Sequence, residues 1–222
     1  MTSKRKHFNI AVFFLLAAGC YLFSCNNNDS KNSNTPQTVA ELPRQIIEPA
    51  NPYADVDKSP MDVSYFPVDY PKQRMTKTDS VPLAIRVVYS RPHKMGRVIF
   101  GNDTPPKNIQ RYGAYWRLGA NEATEIEFFK PVTIQGKEIP KGRYIIYCIP
   151  YTDKWTIVLN SNLFSFGLQQ DSTKDLAKFT IPVQQTTDNI EYFTMVFQKA
   201  PEGADLTMAW GNVKAILPIK FK

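Results

Sequence analysis

From Leu83 to its end the chain is a succession of short apolar or alternating runs, each broken after roughly 8–12 residues by Gly, Pro, Asn or Asp. No amphipathic helical stretch separates the runs. The chain has 17 Pro against 10 Gly, a balance that suits extended, turn-rich backbone. The runs are Leu83–Tyr89, Arg97–Phe100, Thr124–Phe129, Val132–Ile134, Glu138–Ile139, Arg143–Ile149, Trp155–Leu159, Phe179–Val183, Ile190–Gln198, Leu206–Trp210 and Val213–Ile219. Gln135-Gly136-Lys137 and Gly211-Asn212 read as hairpin turns. The pattern predicts an all-β domain over 83–222, a single antiparallel β-sandwich of jelly-roll-like type with about ten strands. A parallel α/β sheet is excluded by the missing helices. Phe193, Met195 and Phe197 recur at period two and, with Trp155 and Trp210, are expected in the core. Ser161–Lys178 is expected to hold a short helix or a long loop.

The N-terminus is built differently. Lys4, Arg5 and Lys6 precede an apolar run from Phe8 to Ala18, the layout of a signal peptide over residues 1–24. The run is too short for a membrane span, which takes about 20 apolar residues. Leu22-Phe23-Ser24-Cys25 resembles the lipobox of bacterial lipoproteins, with an aliphatic residue three before the cysteine and a small one directly before it. Cys25 is therefore the expected lipidation site, favoured over Cys20, which lacks that aliphatic residue. Residues 25–60 form an expected polar, Pro-rich tether, ~100 Å at full stretch for ~3 Å per residue. Residues 61–82 keep prolines but add Tyr65, Phe66 and Tyr70, and read as an extended segment packed on the domain. The expected location is the cell envelope, on the periplasmic side or at the outer-membrane surface, with the membrane as a partner through the lipid anchor.

Charge and residue inventory remove several function classes. The formal charge of +7 falls to +4 without Lys4, Arg5 and Lys6, and an exported chain with that surplus is not expected to bind nucleic acid. His93 is the one histidine beyond the leader, and it reads as a surface-loop residue. No Ser-His-Asp set, nucleotide-binding glycine loop or paired-ligand metal spacing occurs, so no catalytic residue, cofactor or metal is assigned. Cys148 lies in an apolar run and is expected as a buried, inert thiol. Glu125 and Glu127 alternate with Ile126 and Phe128, which places them on the solvent face of a strand.

What remains is a basic, aromatic-rich stretch. Six of the nine arginines fall within 83–150. Tyr89-Ser90-Arg91-Pro92, Gly96-Arg97-Val98-Ile99-Phe100-Gly101 and Trp116-Arg117-Leu118-Gly119-Ala120-Asn121-Glu122-Ala123-Thr124, with Trp210-Gly211 and Leu217-Pro218-Ile219, resemble the DUF2911 family over about Leu83–Ile219. The resemblance implies an all-β domain in exported proteins of Bacteroidota and related bacteria, and it supplies no activity. From the residues themselves, Tyr89, Arg91, Arg97, Tyr112, Trp116, Arg117, Asn121 and Glu122 are the candidate ligand-binding set. Arginine forks suit carboxylates, phosphates or sulfates, and aromatic faces suit sugar rings. The expected division is a buried Arg117–Glu122 pair, with Arg91 and Arg97 left facing a ligand.

Two functions follow from that set. One is a lipid-anchored module binding a small anionic or glycan ligand, or an envelope protein. The other is an envelope carbohydrate hydrolase or lyase with Glu122 as general acid/base and an arginine as stabiliser. An open Glu122 beside a second carboxylate would favour the enzyme. A Glu122 clamped by arginine would favour binding or structure.

Overall fold

The fold is that of a computed structural model describing residues 52–76, 82–103 and 105–221. The expectations for residues 1–24, for Cys25 and for the polar run after it lie outside the described residues.

Eleven strands follow in chain order: β1 Met61–Phe66, β2 Ile85–Ser90, β3 Val98–Gly101, β4 Asn108–Arg111, β5 Glu125–Phe128, β6 Val132–Ile134, β7 Lys137–Ile139, β8 Gly142–Pro150, β9 Lys154–Asn160, β10 Asp175–Ala200 and β11 Gly203–Phe221. A seven-residue helix, α1 (Tyr70–Thr76), and a 3-10 turn at Ser172–Lys174 are the helical elements among the described residues. Neither is long and apolar enough to cross a membrane. Nine strands form one antiparallel sheet in the order β1-β2-β5-β8-β9-β10-β11-β6-β7, while β3 and β4 pair in parallel beside it. The sheet does not close into a barrel, so the all-β, sandwich-like expectation is met.

Two long strands make the second layer. The first part of β10, Asp175 to Pro182, pairs with β9, and the rest, from Val183 to Ala200, pairs with β11. Beyond the changeover β10 lies across β1 and β2. Ser64 Oγ donates to the Met195 carbonyl, the Met195 N–H donates to the Tyr89 hydroxyl at 3.0 Å, and Phe66 meets Phe197 edge-on at 6.3 Å. One continuous sheet thus turns back on itself, with its apolar side chains enclosed between the turns.

The alternating runs are the reason. On β2, Ile85, Val87 and Tyr89 point inward; on β5, Ile126 and Phe128; on β10, Phe193, Met195 and Phe197. Each fully enclosed Phe or Ile contributes about 1.5–3 kcal/mol of transfer free energy. The outer positions carry ion pairs: Glu127 pairs with Arg86 at 2.5 Å, and Glu125 pairs with Arg143. Central β8 is buried on both faces, because Tyr147 on its far side packs against Tyr115 at 5.5 Å. Cys148 is fully buried, and burial raises its thiol pKa well above the usual range.

Three expectations need correction. Gly211-Asn212 is not a hairpin turn: Gly211, at φ +59°, lies inside β11 opposite Ile190, where the β10–β11 register shifts. Its left-handed backbone makes an irregularity within a strand, and a Cβ there would come within 2.8 Å of Ile99 Cδ1. The β10–β11 turn is instead at Pro201-Glu202. The runs Phe179–Val183 and Ile190–Gln198 are likewise one strand, continuous through a polar stretch. Finally, part of 61–82 is regular: β1 pairs along its length with β2, and α1 follows it.

Candidate functional site

The site is built where β5 runs out. β5 pairs with β8 only as far as Glu125–Ile145, which leaves the next part of β8 without a neighbour on that side. Trp116 fills the place: its N–H donates to the Cys148 carbonyl and its carbonyl accepts from the Cys148 N–H, both at 2.8 Å. Trp116, so fixed, turns inward and is 4% exposed, while its neighbours Tyr115 and Arg117 turn outward. Its ring packs on Phe193 at 4.8 Å, Phe100 at 5.4 Å, Trp155 at 5.5 Å and Trp210 at 5.9 Å. Trp116 is therefore part of the core and offers no face for a sugar. The accessible aromatic here is Tyr115, 49% exposed.

Above this aromatic core lies a cavity of about 330 Å³, whose polar wall carries Ser59, Arg97, Gln110 and Arg117. None of its lining residues is acidic. Arg117 Nη1 donates to the carbonyls of Asn121 (2.7 Å) and Phe166 (2.9 Å). Arg97 donates from Nε to the Lys94 carbonyl (3.0 Å) and from Nη2 to the His93 carbonyl (2.7 Å). An arginine has five N–H donors, so each keeps three that no protein group accepts among the described residues. Neither forms an ion pair among those residues. Partial burial lowers the pKa of Arg117, the direction expected for a half-desolvated cation lacking an anion. Gly167, at φ +70°, lets the loop 161–171 close against the cavity; a Cβ there would sit 2.9 Å from Arg117 Cβ. A second cavity of about 310 Å³ shares Arg97 and Trp210 with the first and adds Lys94 and Tyr112.

Residues 71–219 match the family described as "Protein of unknown function (DUF2911)". The chain belongs to the DUF2911 family. Neither among curated proteins nor among solved structures does anything match it.

The DUF2911 domain distributes the candidate residues over four places. Arg97, Arg117 and the edge of Trp116 meet in the first cavity, and Tyr112 lines the second, its ring stacked on Phe100 at 6.1 Å. Burial raises the Tyr112 pKa. Asn121, exposed and at φ +61°, donates from Nδ2 to the Asp57 carboxylate (2.8 Å) and to the Ser59 carbonyl (3.2 Å), which holds the incoming chain at the cavity rim.

Arg91 and Tyr89 belong elsewhere. Arg91 reaches Asp62 Oδ2 (3.2 Å), Thr194 Oγ1 (3.2 Å) and the Phe193 carbonyl (3.4 Å). Tyr89, 2% exposed, donates to Asp62 (3.3 Å), and its hydroxyl pKa is raised to about 12, chiefly by burial. Arg91 is thus a strap between β1 and β10, not the exposed ligand-facing residue expected of it. His93 is half-buried, with its ring 3.9 Å from that of Tyr192, rather than free on a surface loop.

Glu122 overturns the expected buried pair. It is exposed, bonds neither Arg117 nor Arg91, and lines a separate cavity of about 170 Å³ with Tyr89 and Glu125. Arg117 found backbone carbonyls where a carboxylate was expected, because Asn121, at φ +61°, turns its own carbonyl to the guanidinium. Among the described residues no group of three or more His, Cys, Asp or Glu is placed to hold a metal.

The sequence reading missed Asp62, Ser59, Gln110, Tyr115 and the loop 161–171. Tyr115 had a signal, since a residue beside an inward Trp on extended backbone must face outward. Asp62 and Ser59 had none, because their partners are remote in sequence.

Proposed function

We propose that this DUF2911 protein is an exported lipoprotein of the cell envelope, anchored through Cys25, whose domain binds a small anionic ligand such as a sugar acid or a phosphorylated sugar in the Arg97–Arg117 cavity. The leader, the lipobox-like Leu22-Phe23-Ser24-Cys25 and the polar run after it support the anchor. The observation that carries the binding reading is the pair of arginines, each with three spare N–H donors, in a cavity whose lining holds no acid. Paired donors of that kind take carboxylate or phosphate oxygens bidentately, and Tyr115 and Tyr112 stand beside them for an apolar sugar face.

A thermal-shift series with uronic acids, sugar phosphates and inorganic phosphate tests this. A ligand at 100 times its Kd adds about 2.7 kcal/mol to stability. Arg117→Lys, which keeps the charge and loses the fork, should weaken the response about tenfold. A full response in both Arg97→Ala and Arg117→Ala would end the reading.

One observation supports the hydrolase reading: Glu122 is open and shares its cavity with a second carboxylate, Glu125. Glu125 is held by Arg143, and none of the three candidate arginines lines that cavity, so binding leads. Release of reducing sugars from envelope glycans that disappears in Glu122→Gln would reverse the order.

A further inference from the structure

We propose that the loop 161–171 docks the domain on a lipid bilayer, with Phe164, Phe166 and Leu168 entering the boundary between headgroups and acyl chains and the arginine cavity facing the headgroups. The inference rests on the anchored reading above, and adds that the domain itself touches the membrane to which it is tethered.

Three observations converge on one face. First, Phe164, Phe166 and Leu168, three large apolar side chains within five residues, are 85%, 66% and 74% exposed. They alternate along the loop, and all three project outward.

Second, the loop that carries them is pinned. Asn160 accepts from the Asn162 N–H at 2.7 Å and donates to the Asp171 carbonyl at 2.9 Å. Ser161 N–H donates to the Lys174 carbonyl (3.0 Å), Gln170 Nε2 to the Gly167 carbonyl (3.2 Å) and Arg117 to the Phe166 carbonyl. Phe164 is held at φ +65°, a backbone conformation that bulky side chains rarely take. The loop therefore displays these side chains from a fixed backbone. A segment that merely failed to pack would have no such ties.

Third, the described chain enters the domain at the same rim. Asp57 and Ser59 are tied to Asn121, and Ser59 shares the cavity lining with Gly167, Leu168 and Arg117. The chain at Asp57–Ser59 thus joins the domain beside the apolar loop and the two arginines of the cavity. Arg143, already paired with Glu125, lies 5.8 Å from the Phe164 ring. Apolar side chains beside Arg97 and Arg117, at a cavity whose lining holds no acid, complement a surface of anionic headgroups over hydrocarbon.

The test uses the full lipidated chain in vesicles of phosphatidylcholine and phosphatidylglycerol. Leu168→Cys is labelled with a polarity-sensitive dye, with Glu202→Cys, in the β10–β11 turn, as the comparison site. Labelling is specific because Cys148 is fully buried and Cys25 would carry lipid. Doxyl-labelled lipid should quench the dye at 168 several-fold more than the dye at 202. Phe164→Ser with Phe166→Ser should remove that difference with the Tm unchanged, since both side chains are exposed. Equal quenching at the two positions, in chains that float with the vesicles, overturns the docking and leaves the anchor standing. Failure to float overturns the anchor, and the docking with it. Dye emission at 168 that follows protein concentration in detergent, and not lipid quencher, would assign the loop to a second copy and overturn the proposal.

Discussion

Arg91 and Arg117 are both half-buried arginines on the connections that follow and precede the inner strands β2 and β5, yet they meet opposite fates. Arg91 finds an anion, Asp62, together with a hydroxyl and a carbonyl from β10, and so ties one layer of the sandwich to the other. Arg117 finds two backbone carbonyls and, among the described residues, no anion. The difference shows that an arginine's role follows from whether the fold brings it a carboxylate. Where it does, the cation fastens structure; where it does not, an unmet charge remains at a cavity, and that is the condition for recognising an anion from outside.

The comparison can be broken most severely through the core that both regions share. Trp116→Ala removes the ring that supports the arginine cavity and packs on Phe193, and should cost about 3–5 kcal/mol in urea unfolding. A loss under 1 kcal/mol would mean that Trp116 is not the core residue described here.

The next effect comes from the Arg91 side and depends on pH. The Tyr89 hydroxyl, raised to about 12 from an ordinary 10, is more easily kept neutral in the fold than in the unfolded chain. Its contribution is complete below pH 10 and is lost as pH rises from 10 through about 12, with a limiting slope of about 1.4 kcal/mol per pH unit. Tyr89→Phe should flatten the alkaline limb of the stability–pH curve. An unchanged limb would remove Tyr89 as a contributor to it and leave the limb to the other buried tyrosine hydroxyls, Tyr147 first.

Smaller effects separate the arginines themselves. Arg91→Ala should destabilise by about 1–2 kcal/mol, because its pair with Asp62 is partly open to solvent, and should leave ligand response intact. Arg97→Ala should shift stability by less than about 0.5 kcal/mol and abolish the response, since its protein bonds are to carbonyls of its own turn. An exchange of those two outcomes would invert the assignment. Smallest of all, Glu122→Gln should leave stability unchanged within about 0.5 kcal/mol, as befits an exposed carboxylate without a partner among the described residues. A marked drop would restore the buried pair that the structure lacks.

Much of the fold was legible because alternation is local. Ile126 and Phe128 point one way and Glu125 and Glu127 the other in any strand, wherever it docks, and Phe193, Met195 and Phe197 announced an inner face in the same manner. The continuity of β10 and β11 was not legible. Gly211-Asn212 carries the chemistry of a turn, and only pairing with Ile190 makes it a strand irregularity. Nor was β4, whose parallel partner β3 lies across a loop. In the site, Arg97 and Arg117 were singled out from residue type and setting, but Arg117, like Trp116, Arg91 and Glu122, was given a role that its neighbours in space withdrew.

The sequence by itself determined a β-rich domain, the strands' inner and outer faces, and which arginines were candidates. Each follows from periodicity, turn chemistry and composition within a few residues. The tertiary structure alone decided which arginine is fastened and which is left unmet. Asp62 reaches Arg91 because β1 pairs with β2 in a register that sets it opposite Tyr89, and among the described residues no carboxylate is brought to Arg117. Register and layer packing join residues far apart in the chain, and charge pairing depends on distances of a few ångströms that only those long-range contacts fix.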